Sequence, residues 1–460
     1  MWVPDISKAE GPRYVALAKA INEAIDSGEL PPGAQLPPQR DLALRLGVTV
    51  GTVGRAYKIV KARRLVTGEV GRGTFVRGGS GDGETSPSFL PVLKPGTMDF
   101  ALFSSNNQGL VDALYTAFSE AAGSVSHLSM NRYPPAAGFP THRTAGATWI
   151  GRSGYEAVPD NVIVCNGAQQ AIMTILLALG DNENSEILCE QLSYSGIKAL
   201  ASMLGRKLRG VEIDSHGLVP KALEAALDES GSRLLYMQPT VHNPTGSVMP
   251  MARRREIAEI ARRRSVVIIE DDTAIGGLRD RPAPIVSLLP EQTVYITGLD
   301  KCISPALRVA YIASARQNYD RIVNTMHAMT LANPPIQAEA AAYLINSGVA
   351  DRLANSQYDK LAAIHKAVSE RLGNIPHHSH PAAFFLWLQL PDHWTAREFC
   401  NLASQVGISV VPADNHTASG TPPAAIRITL SPTQRIDAIV DGIDKLVRLF
   451  SERVTPTLTV

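Results

Sequence analysis

Lys301 stands just past the apolar run Val294-Tyr295-Ile296, in the segment Gly298-Leu299-Asp300-Lys301-Cys302-Ile303-Ser304-Pro305-Ala306-Leu307-Arg308. A lone lysine at such a place is ordinarily a surface residue, but other segments give this one a chemistry. Glu270-Asp271-Asp272 follows the apolar run 266–269, and acids at the C-terminal end of a strand are costly to hold unless they face a cation or a cleft. Capping the next helix is the alternative for one of them. Asn166-Gly167-Ala168-Gln169-Gln170 leads from the run 162–165 into a helical pattern, where free backbone N–H groups and the helix dipole would accept a phosphate; a plain strand-to-helix connection reads the same way. Asn243, in Pro239-Thr240-Val241-His242-Asn243-Pro244-Thr245-Gly246, offers an amide, and Tyr194, in Glu190-Gln191-Leu192-Ser193-Tyr194-Ser195-Gly196, an aromatic face. Desolvation and the nearby Arg308 cation would keep a lysine amine unprotonated and able to form a Schiff base. Arg308 can also contact a phosphate. A pyridinium nitrogen is one such cationic partner for a strand-end acid, and pyridoxal phosphate combines it with an aldehyde and a phosphate.

These segments need a scaffold, and the spacing of apolar runs supplies one. From about residue 98 to the end, runs such as 162–164, 186–188, 234–236, 266–269 and 294–296 alternate with longer helical patterns, which predicts a mostly parallel sheet wrapped by helices, an α/β fold. The length of 460 residues exceeds one core. With 45% hydrophobic and 19% charged residues, the composition is that of an ordinary globular protein. Cys165, Cys189, Cys302 and Cys400 form no CxxC pair, so reduced thiols are expected and neither a metal site nor a disulfide frame. No signal-peptide pattern and no run of 18 apolar residues occurs, which places the expected protein in the cytoplasm, off the membrane.

The net charge of +1 conceals an asymmetry: between Arg40 and Arg77 there are nine Lys or Arg (Arg40, Arg45, Arg55, Lys58, Lys61, Arg63, Arg64, Arg72, Arg77) against Asp41 and Glu69. Such a local excess suits a polyanion. Tyr14, Leu17, Ala18, Ile21 and Ile25 lie at helical spacing before Ser27-Gly28. A second short helix is predicted with Pro38 at its first position and Leu42, Ala43 and Leu46 inward, ending at Gly47. A third is predicted with Thr49 as N-cap and Val53, Ala56, Tyr57 and Val60 as its buried stripe. The alternation around Gly71-Arg72-Gly73 predicts a β-hairpin wing tipped by Arg72. Residues 79–97 are a Gly/Ser/Pro-rich linker whose root-mean-square span would be roughly 25 Å. The expected domains are therefore 1–78, DNA-binding, and 98–460.

Residues 11 to 77 resemble the GntR family of bacterial regulators through Ser27-Gly28-Glu29-Leu30-Pro31-Pro32-Gly33, Leu36-Pro37-Pro38-Gln39-Arg40-Asp41-Leu42-Ala43, Leu46-Gly47-Val48-Thr49, Thr52-Val53-Gly54-Arg55-Ala56-Tyr57 and Gly71-Arg72-Gly73-Thr74-Phe75-Val76. The resemblance implies a winged helix-turn-helix that contacts double-stranded DNA through Arg40, Thr49, Thr52, Arg55 and Arg72. A salt bridge within the second helix is the alternative for Arg40. Many members carry arginine where this chain has Val50.

Residues 98 to 455 resemble the fold-type-I aminotransferase superfamily, and the fusion resembles the MocR subgroup of regulators. That implies a large domain with a smaller C-terminal α+β subdomain, binding pyridoxal 5'-phosphate. Lys301 would be the internal-aldimine lysine, Asp271 the pyridine partner, Asn243 the ring-oxygen donor and Tyr194 the stacking ring. Gly167, Ala168, Gln169 and Arg308 would contact the phosphate. Arg427, in Ala425-Ile426-Arg427-Ile428-Thr429-Leu430, would clamp an effector carboxylate; an edge-strand surface arginine is the alternative. Tyr133, in Arg132-Tyr133-Pro134-Pro135, would reach the cofactor of the partner subunit in a homodimer. Two departures stand out. Thr273 and Ala274 occupy positions where a tyrosine usually bonds the ring oxygen, and Gly298 stands three residues before the lysine, where a hydroxyl usually holds the phosphate. The expected protein is thus a regulator that senses an amine or amino acid by aldimine exchange at Lys301, with no catalytic residues assigned. A working aminotransferase with an accessory DNA-binding head is the alternative.

Overall fold

The computed structural model describes residues 2–4, 6, 11–26, 29–30, 34–62, 66–69, 73–76, 97–105, 109–124, 132–180, 186–273, 280–432 and 434–451. Arg72, Ala274 and all but the last residue of the segment 79–97 lie outside them. The chain divides into two compact units, Met1–Ser88 and Phe89–Val460.

The first unit contains α1 (Arg13–Asp26), β1 (Gln35–Leu36), α2 (Gln39–Leu46), α3 (Val50–Ala62), β2 (Val66–Glu69) and β3 (Gly73–Val76). Leu17 and Ile21 of α1, Leu42 of α2 and Val53, Ala56 and Val60 of α3 close one core with Leu36, Val66 and Val76 of the sheet. The sheet order is β1-β3-β2 with antiparallel pairs throughout. Gly47 ends α2 in the left-handed conformation at φ 62°, where an L side chain would be strained. Thr49 Oγ1 then accepts the Thr52 N–H at 3.2 Å, the expected N-cap. Pro38 is not the first helical residue. Its ψ of 137° keeps it extended while its carbonyl accepts the Leu42 N–H at 3.0 Å, so it caps α2 from outside. The two-residue β1 is too short to show alternation in sequence and forms against β3.

In the second unit, β4 (Met98–Asp99) leads to α4 (Leu110–Ser124) and then to a seven-stranded sheet. Its strands are β5 (Val162–Cys165), β6 (Ile187–Glu190), β7 (Leu208–Val211), β10 (Leu234–Met237), β11 (Val267–Asp271), β12 (Thr293–Gly298) and β13 (Ala310–Ala313), with β8 (Ile213–Asp214) and β9 (Gly217–Leu218) forming a separate pair. The order is β5-β13-β12-β11-β10-β6-β7, and only β13 runs against its neighbours. Helices cover both faces, so successive residues of each strand enter different cores. Ile163, Tyr236 and Ile269 join the helix Ala168–Leu179 on one side, and Leu235, Met237 and Ile268 join Met251–Arg264 on the other. That two-sided burial is why the strands read as unbroken apolar runs.

The C-terminal part is a four-stranded antiparallel sheet, β14 (His377–Ser379), β15 (Phe385–Gln389), β18 (Ala425–Thr429) and β17 (Val411–Pro412) in that order, with β16 (Ile408–Ser409) pairing with β4. Ile426 and Ile428 fill a core with Phe385 and the helices Val349–Leu372 and Ile436–Leu449, so Arg427 between them takes the opposite face. No described helix is long and apolar enough to cross a membrane.

Candidate functional site

The C-terminal ends of β5, β11 and β12 bring the predicted residues to one cleft. Gly167 caps the helix Ala168–Leu179 at φ 82°, ψ 164°, a conformation essentially confined to glycine. The guanidinium of Arg308 lies directly against it, with Nη2 only 2.3 Å from where a Cβ would sit. Arg308 itself has φ 51°. A non-glycine residue held there costs about 1 to 3 kcal/mol, and such strain concentrates where a side chain must be aimed. Asp300 pairs with that guanidinium. The result is a cradle in which an ion-paired guanidinium lies over the backbone at the start of the helix, with Ala168 and Gln169 in the first helical turn.

Lys301 lies beside this cradle, its Nζ 5.3 Å and 5.5 Å from the ring centroids of Phe103 and Phe384. Burial pulls its pKa down to about 8; Arg427 and Arg308 push the same way, and Asp300 opposes them. The amine is therefore half neutral near pH 8 rather than about 10.4. In cofactor-free protein, acylation of Lys301 followed by peptide mass mapping should rise with pH to a midpoint near 8. A midpoint above 10 would show that the amine is solvated.

Only one of the three strand-end acids faces the cleft. Glu270 accepts the N–H groups of Ile285 and Val286 at 2.9 Å each and lies 3.6 Å from Arg254, so it caps the short helix Ile285–Ser287. Asp272 pairs with Arg281 and Tyr295. Asp271, 1% exposed, accepts from Thr273 N at 3.0 Å and Thr273 Oγ1 at 2.6 Å on one oxygen. Its other oxygen accepts from Tyr236 at 2.5 Å and Gln238 Nε2 at 2.9 Å. Burial raises its pKa, and these hydrogen bonds oppose the rise. All four donors are neutral, so the carboxylate lacks a countercharge.

Arg427 reaches in from β18. Its Nη1 donates to Asn243 Oδ1 at 3.2 Å and its Nη2 to the Ala101 carbonyl at 3.1 Å. Its Nε is buried without a partner, and burial lowers its pKa to about 10. With the Asn243 carbonyl turned to Arg427, the amide nitrogen is the end left to donate elsewhere. Tyr194 caps the helix Ser195–Met203 and its hydroxyl donates to Gln169 Oε1 at 3.3 Å. Gly196 makes room for the ring, since a Cβ there would lie 2.2 Å from it. Burial raises the Tyr194 hydroxyl, and Asp271, Arg427, Arg308 and Asp300 all act on it, which marks how closely they converge. Tyr133 is not part of this cluster within the chain; it is 82% exposed.

These residues fit pyridoxal phosphate. The glycine-lined cradle with Arg308 suits a dianion, the uncompensated Asp271 suits a protonated ring nitrogen, and Lys301, whose pKa is lowered to about 8, suits an aldehyde. Sequence reasoning missed Tyr236, Gln238, Phe103, Phe384 and Asp300. The residues near Asp271 do not replace the missing tyrosine, because the hydroxyls of Thr273 and of Tyr236 on the neighbouring strand both donate to the Asp271 carboxylate. Gly298 is tightly packed: a Cβ there would sit 3.1 Å from the Val309 carbonyl and 3.3 Å from Ala310 Cβ, so a hydroxyl residue would need its neighbours to give by a few tenths of an ångström.

In the first unit, Arg40 is exposed at the start of α2, and Thr49 and Arg55 are exposed on α3. The Thr49 and Thr52 hydroxyls lie 2.9 Å apart, and the Arg55 guanidinium sits 5.9 Å from the Tyr14 ring centroid. All four cysteines are free, and no cluster of metal-ligating side chains occurs among the described residues.

The profile of the aminotransferase class I and II family matches residues 100–443, and that of the bacterial regulatory proteins, gntR family, matches residues 13–76. An uncharacterized HTH-type transcriptional regulator of Bacillus subtilis, YdeF, is 29% identical over 98% of this chain and 97% of its own. The HTH-type transcriptional regulator TauR of Rhodobacter capsulatus is 26% identical over 76% of each chain. The 2-aminoadipate transaminase of Thermus thermophilus is 26% identical over 69% of this chain and 81% of its own. Among solved structures, the α-aminoadipate aminotransferase LysN of Thermus thermophilus superposes with a TM-score of 0.69 at 23% identity, covering 77% of this chain and 92% of its own.

Proposed function

We propose that this chain, which belongs to the aminotransferase class I and II family and carries the gntR-type head of the MocR regulators, controls transcription by sensing a small amine or amino acid at Lys301. The observation that carries the reading is the pairing of a desolvated Lys301 amine with a buried Arg427 whose Nε is unpartnered. When bound, pyridoxal phosphate supplies an aldehyde carbon that primary amines attack reversibly, so an effector amine can compete there with Lys301.

The chain's own residues do the rest. Gly167, Ala168, Gln169 and Arg308 would hold the phosphate, Tyr194 would pack on the ring, Asn243 would donate to the ring oxygen, and Asp271 would keep the ring nitrogen protonated. Arg427 turns its fork to an effector carboxylate. The Phe103 and Phe384 rings exclude water around Nζ. An effector that took the place of the Lys301 amine would change the packing around that residue in the large unit, and that change would be the signal to the DNA reader. In a homodimer, Tyr133 reaches toward the partner's cofactor, and two readers engage paired half-sites through Arg40, Thr49, Thr52, Arg55 and Arg72.

A working aminotransferase is the second reading, favoured by the complete donor set around Asp271 and by the likeness to the Thermus transaminase. Both are tested by loading the full chain with cofactor and adding single amino acids with or without a keto acid. Sensing predicts one stoichiometric change in the cofactor spectrum and a change in affinity for operator DNA selected from a random duplex pool. Repeated turnover with unchanged DNA affinity would select the enzyme.

A further inference from the structure

The first turn of α3 is bare in a way that packing does not explain. Val50 is 46% exposed although it is β-branched and apolar, and the hydroxyls of Thr49 and Thr52 are turned to each other at 2.9 Å. Gly51 is exposed, and a Cβ there would meet only Thr49 Oγ1, at 3.8 Å. It has no positive φ, so nothing within the fold requires glycine, and glycine weakens a helix interior relative to alanine. Gly54 differs, since a Cβ there would come within 3.2 Å of Gln39 Oε1; its small size serves the contact with α2. Close approach of the backbone to a ligand is one of the uses of a glycine that the fold itself does not need. Beside it stands an exposed isopropyl group.

We propose that the first turn of α3 is a close-approach surface for the DNA major groove, in which Gly51 lets the backbone near the base edges and Val50 reads the C5 methyl of a thymine. The thymine methyl is the apolar feature that the bases display there, and the basic excess between Arg40 and Arg77 supplies the phosphate attraction that holds the helix in place. The inference rests on the DNA-binding reading of this unit and deepens it by naming what is read.

The test begins with duplexes selected from a random pool by the full chain. Each thymine of the selected site is then replaced by uracil, which removes only the methyl group. One position per half-site should lose affinity about four-fold, the worth of one buried carbon, and Val50→Ala should make that position indifferent to the methyl. Gly51→Ala should raise the midpoint of thermal unfolding while weakening binding to the selected DNA at least ten-fold. Uracil tolerated at every position, or a Gly51→Ala protein that binds as tightly as the parent, overturns the proposal. Because the uracil series uses the unaltered protein, it stands even if a variant folds poorly. Failure of the chain to enrich any sequence would instead defeat the DNA-binding reading itself.

Discussion

Replacing Lys301 by alanine should abolish both the borohydride-fixed cofactor label and the response of DNA binding to amines. Both losses have one origin, since the amine at this position is the only group proposed to bond the cofactor and the only one the effector displaces. The substitution should be tolerated structurally. Lys301 is half-buried, its carbonyl still accepts the Gln357 side-chain amide, and its Nζ has aromatic neighbours rather than an ion-pair partner within the cleft. The altered protein should therefore keep its unfolding midpoint and its basal DNA affinity while its response to effector falls to nothing. Moving a two-state equilibrium from 1:99 to 99:1 takes about 5.5 kcal/mol of differential affinity; in this mechanism that difference comes through exchange at one nitrogen. Peptide mapping after borohydride treatment would locate the label. A label on another lysine, or an undiminished effector response in Lys301→Ala, would remove this residue from the mechanism.

Much of this cleft could be read along the chain, because three of its residues sit at or just past the end of a strand whose apolar run announces them. Lys301 follows β12, Asp271 ends β11, and Gly167 follows β5. Which of the three acids faces the cleft was also partly legible. Side chains alternate along a strand, so Asp271 must point away from Glu270, and Asp272 away from Asp271. What could not be read was set by register between strands. Tyr236 reaches Asp271, 35 residues away in sequence, because β10 lies beside β11 with Tyr236 opposite Ile269, and nothing local marks that tyrosine. The reversed β13 between β5 and β12 was equally hidden, since an apolar run shows burial and not direction. In the smaller unit, the helix-turn-helix was legible from Gly47 and Thr49, but β1 was not, because a strand of two residues carries no period. The Pro38 error has a local cause: the same φ suits a residue just inside a helix and one just outside it, and only ψ separates them.

The second large effect is expected at Gly167, where alanine adds one carbon and no charge. At φ 82°, ψ 164° any side chain meets a strained backbone, and the new Cβ would have to share space with a guanidinium nitrogen 2.3 Å away and its carbon 2.8 Å away. Arg308 is the part that can yield, so it should swing out, leaving Asp300 without its partner and the phosphate without its cation. A hydrogen bond to a charged group contributes about 1.5 to 3 kcal/mol. Cofactor affinity should accordingly fall roughly 10-fold to 150-fold. Backbone strain adds a separate loss of stability that a melt without cofactor would register. Arg308→Ala alone removes the cation and should weaken binding similarly. The double substitution should be much less than additive, because once the guanidinium is gone the alanine at 167 has nothing to displace. Spectroscopic titration of the four proteins with pyridoxal phosphate completes the cycle. Additive losses would mean that Gly167 and Arg308 act on the cofactor independently, and the cradle described here would not be the phosphate site.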